Sequence, residues 1–203
     1  IIAVTSSGPV IKGLIMLCLG VWFGFIGADP FSGTARYTFG TNELYDGFHL
    51  IPVLTPEGEM YLARLEDGAS LLEAGSPDMQ KYARSIVIPD NRQMTIKVLS
   101  FEFVDYENIL IAPSKGNLNR LIDPSDVEYE FGPVYREDEF FPGDLTGLED
   151  PYILRDVRGQ SLVFYPFQYN PVQQVLRVYK TIEVEVYASV TGQINLLSKT
   201  SNH

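Results

Sequence analysis

The chain has 203 residues, 45% of them hydrophobic and 12% aromatic, which is ample for a buried core. Its formal net charge of −11 excludes a typical nucleic-acid-binding surface, since that requires clustered lysine and arginine. The lone cysteine, Cys18, excludes an internal disulfide.

The first predicted element is the uncharged run Gly13–Ala28, "GLIMLCLGVWFGFIGA". As a helix it would span about 24 Å, short of the ~30 Å hydrocarbon core of a bilayer. Gly20 and Gly24 form a G-x-x-x-G pair, which favours close helix packing in membranes. The run predicts a hydrophobic helical segment that could associate with a membrane through residues 11–28. A cleaved signal-type region is the alternative interpretation.

Residues 6–53 resemble an internal segment of the TctA-type permeases of tripartite tricarboxylate transporters. The shared motifs are "GADPFSG", "RYTFG" and "ELYDG", in that order. The resemblance implies a fragment of a membrane permease, without the other helices that a transport path needs. It ends near Val53, and most of the negative charge lies beyond that point.

Strand patterns dominate after Val53, and Val172–Tyr187 is the clearest of them. Five apolar residues fall on one face (Leu176, Val178, Ile182, Val184 and Val186), and five others on the second face (Arg177, Tyr179, Thr181, Glu183 and Glu185). This alternation is typical of a strand with one wet face.

Three other runs predict strands. Thr95–Val104 changes phase after Val98, which indicates a β-bulge. Ile109–Pro113 and Ser161–Tyr169 are typical of buried or edge strands, and Pro166 favours an edge or a bulge in the latter. We therefore expect an antiparallel β-sandwich over residues 54–190, after a permease-like part at 1–53 and before a tail or linker at 191–203.

Catalytic chemistry is poorly supported by the sequence. The histidines are His49 and His203, Cys18 lies in the apolar run, and no nucleophile elbow, phosphate loop or zinc spacing is present. The acidic stretches 123–130 and 137–150 match no EF-hand pattern and predict a solvated surface. No catalytic residue, metal site or cofactor is predicted.

The segment Arg155–Gln160, "RDVRGQ", places two guanidinium groups beside one carboxylate ahead of a strand. Arg155, Asp156 and Arg158 predict a structural ion-paired turn, and Gly159 can adopt a positive φ there.

A second resemblance covers residues 54–190, which are similar to the N-terminal prodomain of gingipain-type cysteine peptidases of family C25. The family's motifs occur in order as "IAPSKG", "YREDEFFPG", "DPYILRDVRGQ" and "QYNPVQQVLRVY". The resemblance implies a β-sandwich without enzymatic activity that assists folding of the attached peptidase and keeps it latent. Its partner would be a C25 catalytic domain, and its location secreted or cell-surface.

C25 peptidases cut after arginine or lysine, so the resemblance implies that a basic side chain of the prodomain blocks the specificity pocket. The loop "APSKGNLNRLIDPSD" offers two such residues. Arg120 lies deeper in the loop and is the first candidate for the inhibitory contact, with Lys115 second. A surface arginine of no consequence is the alternative for Arg120.

Two other function classes remain open from the sequence: a fragment of a membrane permease, and a non-catalytic secreted β-sandwich used for adhesion. The abrupt change near residue 53 indicates that two unrelated coding pieces have been joined, so that the chain is a chimera, either by an artefact of gene prediction or assembly or by a genuine fusion.

Overall fold

A computed structural model describes residues 26–28, 35–40 and 48–197, with side chains described for residues 48–189 and 192–197. These residues form twelve β-strands and two short 3-10 helices, Pro124–Asp126 and Pro133–Arg136. The strands are β1 (Ile26–Ala28), β2 (Ala35–Gly40), β3 (Phe48–Thr55), β4 (Gly58–Leu65), β5 (Ala69–Ser70), β6 (Gln80–Val87), β7 (Arg92–Tyr106), β8 (Thr146–Leu148), β9 (Tyr152–Leu154), β10 (Val157–Phe164), β11 (Phe167–Asn170) and β12 (Val175–Thr191).

The strands form two five-stranded sheets and a separate hairpin. In the first sheet the order is β1-β2-β12-β11, and β7 also pairs with β12. In the second sheet the order is β5-β6-β10-β8, and β9 also pairs with β10. Strands β3 and β4 form the hairpin. Every strand pair in the described part of the chain is antiparallel.

One hydrophobic core joins these units. Buried side chains come from β12 of the first sheet, from β6 and β10 of the second, and from β4 of the hairpin; they include Val184, Ile86, Phe164 and Ala63. The sheets and the hairpin stabilise one another through this shared core. The predicted mainly β, antiparallel class is confirmed.

Strand β12 has the predicted alternation. Its five apolar residues of the inner face are each no more than 2% exposed (Leu176, Val178, Ile182, Val184 and Val186). Tyr179, which the pattern placed on the wet face, is instead 3% exposed. Its hydroxyl donates a hydrogen bond to Gln168 Oε1 at 2.6 Å, and burial raises its pKa. A register shift between Tyr179 and Thr181 leaves Lys180 as an extra residue.

The β-bulge predicted in β7 is also confirmed. Val98 pairs with Val184 and Ser100 pairs with Glu183, so Leu99 is the extra residue of β7. The apolar residues that follow the bulge are exposed: Phe101 is 47% and Phe103 40% exposed, and the two rings pack on Tyr179.

Two other predicted strands differ from the observed ones. Ile109–Pro113 is buried at Ile111 and Ala112 but forms isolated bridges, Ile111 with Tyr61 and Pro113 with Pro77. The run at 161–169 divides at Pro166, and β10 before it and β11 after it belong to different sheets. Proline lacks the N–H that a continuous ladder needs, which suits it to this change of sheet.

The N-terminal part is described only in pieces. The predicted hydrophobic helix lies mostly outside the described residues, and its last three residues, Ile26–Ala28, form strand β1 and not a helical turn. Within the described residues no helix is long and apolar enough to span a membrane. The β3–β4 hairpin crosses the domain boundary predicted between Val53 and Leu54.

Candidate functional site

The loop at residues 114–126, named here the basic loop, begins where the chain leaves the core after the fully buried Ile111 and Ala112. Ser114 fixes its start, because its N–H donates to Ser76 O at 2.7 Å and its carbonyl accepts from Gly75 N at 2.9 Å. The start of the loop is therefore held to the domain by two main-chain hydrogen bonds.

The chain returns to the same point after the basic loop. Gly132 N donates to Gly75 O at 2.9 Å, and a Cβ on Gly132 would lie 2.8 Å from that oxygen. Glycine is required by this close approach of two backbones. Both ends of the excursion are thus held by the segment Gly75–Ser76.

Lys115 is engaged within the loop and does not extend from it. Its ammonium group donates to Pro124 O at 2.7 Å and lies 4.1 Å from the centre of the Tyr129 ring. These two contacts fasten the outgoing and returning parts of the loop to each other.

Arg120 and Leu121 are the two central residues of a β-turn at the tip of the loop. Ile122 N donates to Asn119 O at 2.9 Å, which closes the turn, and Leu121 N donates to the Asn119 side chain at 3.2 Å. Arg120 is exposed, and its side chain makes no hydrogen bond or ion pair with the described residues. Leu121 is 92% exposed.

Asp123 supports the returning side of the loop. Its carboxylate caps the 3-10 helix Pro124–Asp126, accepting from Ser125 N at 2.9 Å and from Ser125 Oγ at 2.7 Å. The backbone hydrogen bond from Ser125 is the main reason that the pKa of Asp123 is lowered from its ordinary value of 3.8. The cap is therefore charged and intact at neutral pH.

The second predicted group of residues combines an exposed hairpin turn with one buried arginine. Arg155 and Asp156 are the turn of the hairpin between β9 and β10, with Arg155 at φ 58°. Arg158 is 1% exposed and donates to main-chain carbonyl oxygens instead of Asp156. Its acceptors are Pro89 O, Arg92 O, Ile194 O and Asn195 O, at 2.6–2.8 Å.

Gly159 leaves space for a neighbouring ring and does not adopt a positive φ. A Cβ on Gly159 would lie 2.6 Å from the ring of Tyr152 on the paired strand β9. The contact of Arg158 with the tail at Ile194 and Asn195 was missed from the sequence, since no local pattern links positions that are 36–37 residues apart.

The part of the chain that the structure describes holds no cluster of three His, Cys, Asp or Glu side chains suited to a metal ion. His49 lies exposed on β3, while Cys18 and His203 lie outside the described residues. The basic loop carries Arg120, whose guanidinium has no partner among the described residues, beside the exposed Leu121. Both residues lie in a hydrogen-bonded turn.

In the comparison with known proteins, two family models match different parts of the chain. The family described as Propeptide_C25 matches residues 43–202, and the tripartite tricarboxylate transporter TctA family matches residues 1–56. The described strand β2 lies before the start of the Propeptide_C25 match.

Curated relatives agree with the propeptide match. Gingipain R1 from Porphyromonas gingivalis is 41% identical over 154 residues, which cover 76% of this chain and 16% of gingipain R1. Lys-gingipain HG66 from the same organism is 28% identical over 120 residues, or 56% of this chain and 7% of that relative. The chain therefore spans less than a fifth of the length of either relative.

A solved structure extends the agreement to three dimensions. The complex of Porphyromonas gingivalis RgpB pro- and mature domains matches with a TM-score of 0.74 and 36% identity, covering 79% of this chain and 83% of that one. The resemblance to a gingipain-type prodomain is confirmed, and through most of its length the chain belongs to the C25 propeptide family.

Proposed function

We propose that the chain is the propeptide of a secreted or cell-surface cysteine endopeptidase, and that it inhibits the peptidase by placing Arg120 in the specificity pocket. The observation that carries the proposal is that the two basic residues of the loop differ in their contacts. Arg120 is unengaged at an exposed turn, whereas Lys115 is already bound to Pro124 O and Tyr129.

The frame of the loop supports inhibition by a preformed element. Its start and its return are held at Gly75–Ser76, and its two sides are fastened by Lys115 and by the Asp123 cap. A loop that is ordered before binding loses less conformational entropy on association, so more of the contact energy appears as affinity.

The same evidence favours an arginine-specific partner. The guanidinium of Arg120 can donate two parallel hydrogen bonds to a carboxylate at the base of a pocket, which a lysine cannot do. The higher identity to gingipain R1, 41% against 28% for Lys-gingipain HG66, supports the same choice. The domain itself acts as a β-sandwich inhibitor and folding aid and catalyses no reaction.

The proposal is tested by the substitution Arg120→Ala in the full chain, with inhibition measured against mature gingipain R1. Loss of a buried, charge-assisted contact costs roughly 2–5 kcal/mol, so we expect the inhibition constant to rise by about 30-fold or more. Arg120→Lys should raise the inhibition constant by less than Arg120→Ala does, because the charge remains although the paired hydrogen bonds are lost.

Arg84→Ala is the matched control, since Arg84 is an exposed arginine on β6. It should inhibit like the parent chain. An Arg120→Ala chain that inhibits as strongly as Arg84→Ala would show that the basic loop does not use Arg120 to block the pocket.

A further inference from the structure

We propose that Leu121 makes a second inhibitory contact, with an apolar site on the peptidase directly beside the pocket that receives Arg120. The inference rests on the proposed function and adds a residue that fixes the position of the loop in the cleft. The partner surface is defined by its chemistry: an uncharged depression lined by aliphatic or aromatic groups.

The exposure of Leu121 is the first observation. At 92% it is the most exposed large hydrophobic side chain among the described residues, ahead of Leu54 at 82%. The next residue, Ile122, is 45% exposed. A leucine that gains nothing from the core of its own domain retains almost its whole apolar surface for a partner.

The geometry of the turn is the second observation. Arg120 and Leu121 occupy its two central positions, and the side chain of Asn119 accepts a hydrogen bond from Leu121 N. Consecutive Cα atoms lie about 3.8 Å apart, so any pocket that receives Arg120 brings Leu121 to its rim. The enzyme surface there must either contact this side chain or leave it in solvent.

The charge around the turn gives the third observation. Asp123 follows Ile122, and one of its carboxylate oxygens accepts from Ser125 N and Ser125 Oγ in capping the 3-10 helix. Leu121 and Ile122 are thus two exposed apolar residues that lie in the chain between Arg120 and Asp123. This order fits a partner with a charged pocket and an adjacent apolar surface.

The experiment compares the full chains carrying Leu121→Ala and Arg120→Ala as inhibitors of mature gingipain R1. We expect Leu121→Ala to raise the inhibition constant about tenfold or more, mostly through faster dissociation, because the buried apolar surface is lost. Leu121→Met, which preserves the volume, should restore most of the affinity. The thermal unfolding midpoint of each variant should equal that of the parent, since Leu121 lies outside the core.

Leu54→Ala provides the matched control, because it removes the same atoms from another highly exposed leucine, at the end of β3. If Arg120→Ala weakens inhibition while Leu121→Ala stays within twofold of Leu54→Ala, the Leu121 contact is wrong and the proposed function stands. If neither loop substitution changes inhibition, the proposed function and the Leu121 contact are both wrong.

Discussion

Arg158 shows how a single buried side chain holds distant parts of this fold together. Arg158 is 1% exposed, and its guanidinium donates to the carbonyl oxygens of Pro89, between β6 and β7, and of Arg92, the first residue of β7. It also donates to Ile194 O and Asn195 O in the tail. Main-chain oxygens carry partial negative charge and replace the hydration that the cation has lost. The tail is thereby fixed against the start of β7.

Replacement of this arginine is the first stability prediction. We expect Arg158→Met to lower the free energy of unfolding by roughly 3–5 kcal/mol, because the hydrogen bonds from one buried guanidinium to four carbonyl oxygens are lost at once. Urea unfolding measures the loss, and hydrogen exchange should show the amides of Gly192 and Leu197 losing protection, since both donate to the same segment before β7.

The control for this experiment is Arg155→Ala, in the exposed hairpin turn of the same motif, which should change stability by about 0.5 kcal/mol or less. Should Arg158→Met fail to fold, Arg158→Lys keeps the charge with fewer donors and should lie between the parent and the Met variant. A loss below about 1 kcal/mol for both substitutions would contradict the role given to Arg158.

At the scale of elements, the hairpin of β9 and β10 depends on a close fit between its strands. Gly159 lies opposite Tyr152, and a Cβ at Gly159 would meet the Tyr152 ring at 2.6 Å. This distance is far below van der Waals contact, so the ring or the backbone must move.

We therefore predict that Gly159→Ala destabilises the domain by about 1–3 kcal/mol, because the added methyl group enters space that the Tyr152 ring already fills. Chemical denaturation gives the value. Gly147→Ala in β8, where a Cβ meets nothing within 4 Å, is the paired substitution and should be close to neutral. Equal effects of the two changes would show that the contact with Tyr152 does not govern the hairpin.

The long strands also show how far an element can be predicted from its own residues. The alternation in β12 and the phase change at Leu99 in β7 were both visible in sequence, because each follows from the two-residue period of a strand. The burial of Tyr179 was not visible. It depends on the bulge at Lys180 and on a hydrogen bond to Gln168 from the neighbouring strand β11.

At the scale of the whole molecule, the first sheet includes residues that lie before the Propeptide_C25 match. Strand β2, at Ala35–Gly40, pairs with Thr181–Val186 of β12, although the Propeptide_C25 match begins at residue 43. The permease-like part thus contributes a strand at a sheet position beside the central strand.

The net charge of −11 leads to a prediction for association as a whole. If the acidic surface is attracted to a basic rim on the peptidase, the association rate should fall as sodium chloride rises from about 50 to about 300 mM, while dissociation changes little. Stopped-flow measurement with mature gingipain R1 tests this. The Arg120→Ala chain should show nearly the same salt slope, because long-range attraction depends on the total charge and this substitution changes it by only one unit from −11. A rate that does not respond to salt would exclude steering by the acidic surface.

The sequence by itself determined the antiparallel β class, the strands with clear two-residue alternation, the family and the two basic residues of the loop. These features are encoded locally, in periodicity and in contiguous motifs. The tertiary structure decided which basic residue is unengaged, since Pro124 and Tyr129 bind Lys115, and it decided that Arg158 holds the tail and does not pair with Asp156. Such outcomes depend on contacts between residues far apart in the chain, and no local pattern specifies which of these partners the fold brings together.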